Sequence, residues 1–444
     1  MSKSSRQRKR NPAGRMPEVR EEFSGKVQTQ YGGAGLWRRY LRKVGVVKRL
    51  SGVQVQWSGW RFRVVDYLHA LLCGLILGLG RQCEVAGLRA DPGALLALGL
   101  PAVPSQASLS RFLRRCTKRA AQQVLGVNRE LLQAMRHGRV VATIDLDAEI
   151  VSTRGNPAGA DFGYNPKRRG AKSYCAVLGF WGETRDMLDA QLHRGSEATL
   201  TGKLAKAAYR AARRALPKSI RRLRLRADAG FFSHELLTAL EDDRVTYCIA
   251  ARTTPPMKRA LPGLEYRELD AKWAICEYWY QGAEWKRPRR MIVVRERLEP
   301  ENPRSEQLTL FHCDGFAYQV IATNATWAPE TVWHFYNNRS RLENIIKESQ
   351  DDFAGDHVLS RGAGGNATWL ALSVLAYNLT NWFREKVLGQ RRHRNTAKTL
   401  RQRLIEIPAT LVTGGRQLRL KMWSEHPSRR LFERTRVALE AFSL

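Results

Sequence analysis

The residues in this sequence best placed to do chemistry are carboxylates set where negative charge is expensive. Asp145 and Asp147 stand two apart in VVATIDLDAEIV, and a period of two puts both on one face of an extended strand. Their flank is apolar, so the two like charges repel strongly unless a cation lies near them. Asp228 closes LRLRAD, just before AGFF, at the end of a second expected strand; strand ends are where sheets present ligands. Glu343 belongs to YNNRSRLENIIKESQ, which reads as one helix from Tyr336 to Gln350. At about 100° per residue Tyr336, Arg339, Glu343, Lys347 and Gln350 share one stripe, with Leu342, Ile345 and Ile346 beside or behind it. Three carboxylates on two adjacent strands and a packed helix suffice to hold two Mg²⁺ ions roughly 4 Å apart, the arrangement used for in-line displacement at a phosphodiester. Mg²⁺ suits such a set because it takes one or two carboxylates per ion and fills its shell with water and phosphate oxygens, with Mn²⁺ as a substitute. Each acid also has an ordinary reading: Arg339, Glu343 and Lys347 as surface ion pairs at i,i+4 spacing, Asp145 or Asp147 paired with Arg154, and Asp228 as a turn residue.

The elements that must position these groups follow from periodicity. Residues 1–35 are rich in Lys, Arg, Gly, Pro and Ser and read as a basic disordered arm. Residues 36–138 carry helical patterns and form an expected helical DNA-binding domain. Within it SQASLSRFLRR has Ser105 as N-cap, an apolar stripe of Leu109, Phe112 and Leu113, and Arg111, Arg114 and Arg115 outside, the pattern of a basic helix able to enter a major groove. From residue 139 to 252 β-branched alternation and an alanine-rich helix give a mixed α/β unit. Helical periodicity disappears over residues 253–325, which read as an inserted β domain. It returns over 326–388, and 389–444 form a basic, partly helical region and a candidate dimerisation element.

Composition narrows the partners. The chain has 444 residues, 43% of them hydrophobic, enough for a substantial core and for more than one domain. Its formal charge of +34 repels itself unless a polyanion neutralises it, which points to nucleic acid. The longest apolar run, Tyr67 to Leu79, is interrupted by His69 and too short to span a bilayer, and the basic N-terminus lacks the apolar stretch of a secretory signal. A cytoplasmic, DNA-associated protein with no membrane contact is therefore expected. Seven scattered cysteines with no C-x-x-C argue against structural zinc and against a disulfide framework.

Taken together, TIDLDAE, RADAGFFS and the helix pattern Y-x2-R-x3-E resemble the group 1 DDE transposases of bacterial insertion sequences, which share the RNase H-like core of retroviral integrases. GLRADPGALLALGLPAVPSQASLSRFLRR, GYNPKRRGAKSY and ATWLALSVLAYNLTNWF extend the resemblance along most of the chain. It implies an RNase H-like mixed sheet with flanking helices, interrupted by the β insertion and preceded by the helical domain. It also implies that Asp147, Asp228 and Glu343 bind metal and catalyse while Tyr336 and Arg339 hold the DNA end. The family's signature ends in Lys where this chain has Gln350, and Lys347, one turn earlier, is the nearest replacement. In related cores the first acid is followed two residues later by Thr, which selects Asp147; here that residue is Glu149, and Asp145 stays the alternate.

The loop YNPKRRGAKSY sets Lys167, Arg168, Arg169 and Lys172 beside the first acidic strand, with two tyrosines for stacking. Trp279 and Trp285 read as sheet packing, or, by the resemblance, as a brace for a flipped base. His312, His334 and His357 have no ligand spacing. The implied function is a cut-and-paste transposase that binds the terminal inverted repeats of its element and target DNA, as a homodimer on DNA, and uses Mg²⁺ to hydrolyse and transesterify phosphodiesters. The rivals are a non-catalytic DNA-binding relic of the same fold and an RNase H-like nuclease or resolvase.

Overall fold

A computed structural model describes the chain apart from residues 1–20, 22, 24, 60, 136, 137, 167, 199, 299–310, 391–394, 415 and 416. Most of the expected basic arm, and Lys167, lie outside the described residues. The N-terminal part is helical: α1 (Gly35–Val44), α2 (Val64–Ile76), α3 (Gln106–Arg115) and α4 (Lys118–Ala134), joined by shorter turns of helix. Ser105 caps α3, its Oγ accepting the Ser108 N–H at 3.3 Å, and Leu109, Phe112 and Leu113 are its buried stripe, as the periodicity requires.

The centre is a mixed sheet. Its strands are β1 (Val141–Ser152), β2 (Ser173–Trp181), β3 (Asp186–Arg194), β4 (Arg222–Ala227), β5 (Thr246–Ala250), β6 (Arg267–Glu268), β7 (Trp273–Tyr280), β8 (Arg289–Arg297), β9 (Phe311–Cys313) and β10 (Phe316–Thr323). They lie in the order β3-β2-β1-β4-β5-β10-β8-β7-β6, with β9 on β10. β1, β4 and β5 are mutually parallel, and the flanking pairs antiparallel. That arrangement is the RNase H-like core. All nine residues of β2 are buried, and because neighbours in a strand face opposite ways, both faces there are covered. The alanine-rich helix α5 (Gly202–Ala215) is one cover; its Ala205, Ala208, Ala212 and Ala215 let it lie close against the sheet.

The strands of the 253–325 region, the expected β insertion, continue the same sheet. β10 pairs with β5, Ile321 opposite Ala250 and Thr323 opposite Cys248. The physical reason is the edge: β5 would otherwise end the sheet with a row of unpaired N–H and C=O groups, and β10 takes them up. On one face of this extension Cys248, Ile275, Ile292, Val294 and Ile321 form an apolar bed for α7 (Pro329–Asn337), seating Val332 and Tyr336.

α6 (His234–Asp242) lies between β4 and β5, α8 (Arg341–Phe353) and α9 (Ala363–Trp382) follow the sheet, and a C-terminal helix, α10 (Arg429–Ala441), comes last. α9 is buried on nearly every side and runs through the molecule as a central rod. Its glycine-rich start permits that: a Cβ on Gly364 would stand 2.2 Å from the Cys116 carbonyl, and one on Gly365 2.3 Å from that of Leu113. The end of α3 is therefore seated directly on α9, and one cluster of buried side chains runs from Tyr31 through the sheet to Leu439. Asn378, buried on α9, is fully matched: its Oδ1 accepts the Met187 N–H at 2.9 Å, while its Nδ2 donates to the Met187 carbonyl and to Asn128 of α4, both at 2.8 Å. Asn378→Ala should strand these groups without water and lower stability by about 2–4 kcal/mol, read as a shift in urea midpoint. An exposed change such as Arg434→Ala should stay within about 0.5 kcal/mol.

Candidate active site and nucleic-acid cleft

The parallel pairing of β1 and β4 sets Leu146 opposite Ala227, so the next residues, Asp147 and Asp228, emerge side by side. Asp228 directly follows β4, and its Oδ1 accepts the Gly230 N–H at 3.0 Å, turning the chain away from the sheet. Arg252 fixes that turn by donating to the Ala229 and Gly230 carbonyls at 2.8 and 3.0 Å. Asp147 is one-fifth exposed and meets Arg339, whose Nη2 donates to its Oδ1 at 2.6 Å and to the Leu146 carbonyl at 3.2 Å. Burial pushes the Asp147 carboxyl up to about 6; Arg339 opposes the rise and the neighbouring Asp228 charge adds to it. Arg339 is raised, because the surrounding Asp147 and Asp228 charges outweigh its own burial. Its Nε is buried with no hydrogen-bond partner among the described residues.

Asp145 has a different job. It is 1% exposed and its two oxygens take a fork from Arg226, Nε to Oδ1 at 2.6 Å and Nη2 to Oδ2 at 2.8 Å. The remaining Arg226 nitrogen, Nη1, donates to the Phe335 carbonyl at 2.7 Å, and the guanidinium lies 4.9 Å from the Phe335 ring centre. Both carboxylate oxygens are engaged, which separates the two acids that sequence left open: Asp147 faces the cluster and Asp145 holds Arg226. Sequence reasoning missed Arg226. The signal was faint: Arg226 is the last arginine of an alternating Arg/Leu strand, at its buried end, and a buried arginine requires a carboxylate partner.

The segment Tyr336–Gln350 is not the continuous helix expected. α7 stops at Asn337, a 3-10 turn covers Asn338–Ser340, and α8 begins at Arg341. The paired asparagines explain the break: Asn338 returns its side chain to the His334 carbonyl at 3.0 Å, and such local bonds compete with the helix ladder. Tighter winding then rotates everything downstream relative to Tyr336 and Arg339. Tyr336 is buried on the sheet and Arg339 reaches Asp147, whereas Glu343 and Lys347 are exposed and Gln350 is half-buried. The structure thus brings together Asp147, Asp228, Tyr336 and Arg339. Among the described residues no group of three or more His, Cys, Asp or Glu side chains is placed to share one ion, so Glu343 is not gathered with the two aspartates.

Two further surfaces bear on nucleic acid. Arg168 and Arg169 are exposed in the loop after β1, and the Lys172 ammonium lies 5.3 Å from the Phe162 ring centre. Phe162 (59%) and Tyr164 (66%) are exposed there, while Tyr174, the second tyrosine expected to stack, is buried and donates to the Ala158 carbonyl. Phe162 went unread because a lone phenylalanine carries no pattern. Arg111 and Arg114 line a cleft of about 1170 Å³ together with Arg61, Arg89 and Arg115, floored by Trp57, Phe62 and Tyr67 and without an acidic residue in its wall. Trp285 packs on Tyr280 and Phe232 as expected, and Trp279 is exposed.

Comparison with known proteins decides the family. Residues 11–443 match the family described as transposase DDE domain, group 1. The chain belongs to this family of DDE transposases. Family membership brings with it nuclease and strand-transfer chemistry in general terms, and a general use of divalent metal ions. A search of curated proteins gives no match. Among solved structures, the cryo-EM structure of a piggyBac transposase synaptic complex with hairpin DNA is similar, with a TM-score of 0.48 and 10% identity, over 85% of this transposase and 81% of that chain. Among the described residues of this transposase, no helix is long and apolar enough to cross a membrane.

The raised Asp147 has a measurable consequence. Its folded pKa of about 6 exceeds the ordinary aspartate value of about 3.9, so between those limits the folded state holds the proton more tightly and stability falls as pH rises. Urea unfolding should show wild type losing roughly 1–3 kcal/mol more than Asp147→Asn between pH 4 and pH 6.5. Equal slopes for the two proteins would contradict this placement of Asp147.

Proposed function

We propose that this transposase binds the terminal inverted repeats of its own element, cleaves the phosphodiester at each end and joins the freed 3′-hydroxyl to target DNA, a cut-and-paste reaction in which a homodimer handles two ends. The observation that carries the reading is Asp147 and Asp228 side by side at the end of the parallel pairing, with Arg339 as the counter-charge. Two adjacent carboxylates with one of them held above its usual range are a donor set short of positive charge, and they fit a hard divalent ion. Asp147 and Asp228 would hold Mg²⁺, with Glu343 as the third carboxylate, and the bound ion supplies charge at the phosphoryl oxygens and a more acidic water.

The protein's own groups do the positioning. Arg339 is held by its bond to Asp147 with its side chain about one-fifth exposed, so an arriving phosphate meets a guanidinium already in place. Tyr336, buried on the sheet, anchors the turn that carries Arg339. Lys347 and Gln350 continue the surface along α8, and Arg168, Arg169 and Lys172 extend it beside β1. Arg111 and Arg114 face the repeat from the N-terminal cleft, where exposed guanidiniums over an aromatic floor suit phosphates and base edges together.

Cleavage of a labelled duplex carrying the element's own end tests the reading. With Mg²⁺ present, Asp147→Asn, Asp228→Asn and Glu343→Gln should each slow cleavage by at least about a thousandfold and leave duplex binding within about twofold. Full activity in either aspartate variant would overturn it, and full activity in Glu343→Gln would remove α8 from the site. Arg339→Lys keeps the charge and loses the fork; it should fold normally and cleave about a hundredfold more slowly. A wild-type rate there would reduce Arg339 to an ordinary ion pair.

A further inference from the structure

The end of β4 opposite Asp228 opens into a groove of about 750 Å³ that none of the roles above uses. Its wall carries Arg213, Lys218, Arg221, Arg222, Arg224 and Arg244 against one carboxylate, Asp243. That carboxylate is already engaged, pairing with Arg213 at 2.5 Å and accepting the Tyr209 hydroxyl at 2.7 Å. The Arg224 guanidinium lies 5.3 Å from the Trp327 ring centre and 5.7 Å from that of Phe335. Lys218, Arg221 and Arg222 are exposed and have no acidic partner among the described residues. The C-terminus of α5 accounts for Arg213, since cations in a last turn meet the helix dipole, but not for Lys218, Arg221 or Arg222, which lie beyond it. Cations crowded around a concavity repel one another unless an anion enters.

We propose that this groove is a second phosphate-binding surface, which takes the backbone of duplex DNA at a distance from the scissile bond. At about 3.3 Å per residue, β4 separates Arg222 from Asp228 by roughly 20 Å, the rise of about six base pairs, so the phosphates held here are not those being cut. The contact proposed is with backbone phosphates, which position the duplex and carry no sequence information. The proposal rests on the transposase reading for the identity of the polyanion, and its test needs no cleavage.

Equilibrium binding of a 60-base-pair duplex of random sequence, without metal, is measured across a salt series for wild type and for Lys218→Ala/Arg221→Ala/Arg222→Ala. The plot of log K against log[salt] should flatten by about 2–3 in the triple variant, since each lost phosphate contact removes about 0.9 from the slope. An unchanged slope overturns the proposal. So does an equal flattening in Arg430→Ala/Arg434→Ala/Arg436→Ala, which removes the same charge from the C-terminal helix and would show a net-charge effect with no groove. A wild-type protein that binds through the groove and cuts no DNA would leave this surface standing and sink the catalytic reading instead.

Discussion

The fork between Arg226 and Asp145 is the contact on which the site depends. It joins three pieces of the chain that are distant in sequence: β1, which supplies Asp147 two residues after Asp145; β4, which supplies Asp228 two residues after Arg226; and the end of α7, gripped at the Phe335 carbonyl just before Tyr336. A buried ion pair of this kind is weak support for stability as such, because desolvation costs each charge several kcal/mol. Its value here is geometric. With every oxygen of Asp145 and two edges of Arg226 occupied, the strand register and the placement of α7 are locked together, and Arg339 arrives at Asp147 as a consequence.

Much of this was legible in the sequence because it rests on short-range rules. Period-two alternation placed Asp145 and Asp147 on one strand face, Ser105 announced the start of α3, and the spacing of Leu109, Phe112 and Leu113 gave its buried side. What escaped depends on long-range pairing. Nothing local tells Asp145 from Asp147, because the difference is made by Arg226, which is distant in sequence and adjacent in space. The break at Asn337 and Asn338 was open to inference from two residues that bond locally in preference to continuing a helix, yet strong periodicity on both sides concealed it. The continuation of the sheet through β10 was likewise hidden, since a strand's partner is not written in its own pattern.

Charge organises the surface as burial organises the core. A chain at +34 could scatter its cations evenly, but the N-terminal cleft and the groove at the far end of β4 gather them into concavities poor in acids. The edge proposed as catalytic is the exception, two acids against one arginine, and it is the place where positive charge is scarce. That inversion suits a polyanion drawn in by the surroundings and met, at one point only, by carboxylates able to hold a metal ion.

The most direct test of this account is metal binding to the protein alone, read from the electron paramagnetic resonance signal of Mn²⁺ in the absence of DNA. Asp147→Asn and Asp228→Asn should each weaken binding tenfold or more, whereas Glu343→Gln, outside the paired acids, should change it by about twofold at most. Equal losses in all three variants would mean that the three carboxylates are already assembled without DNA; undiminished binding in Asp147→Asn or Asp228→Asn would contradict the paired aspartates as the centre of the site.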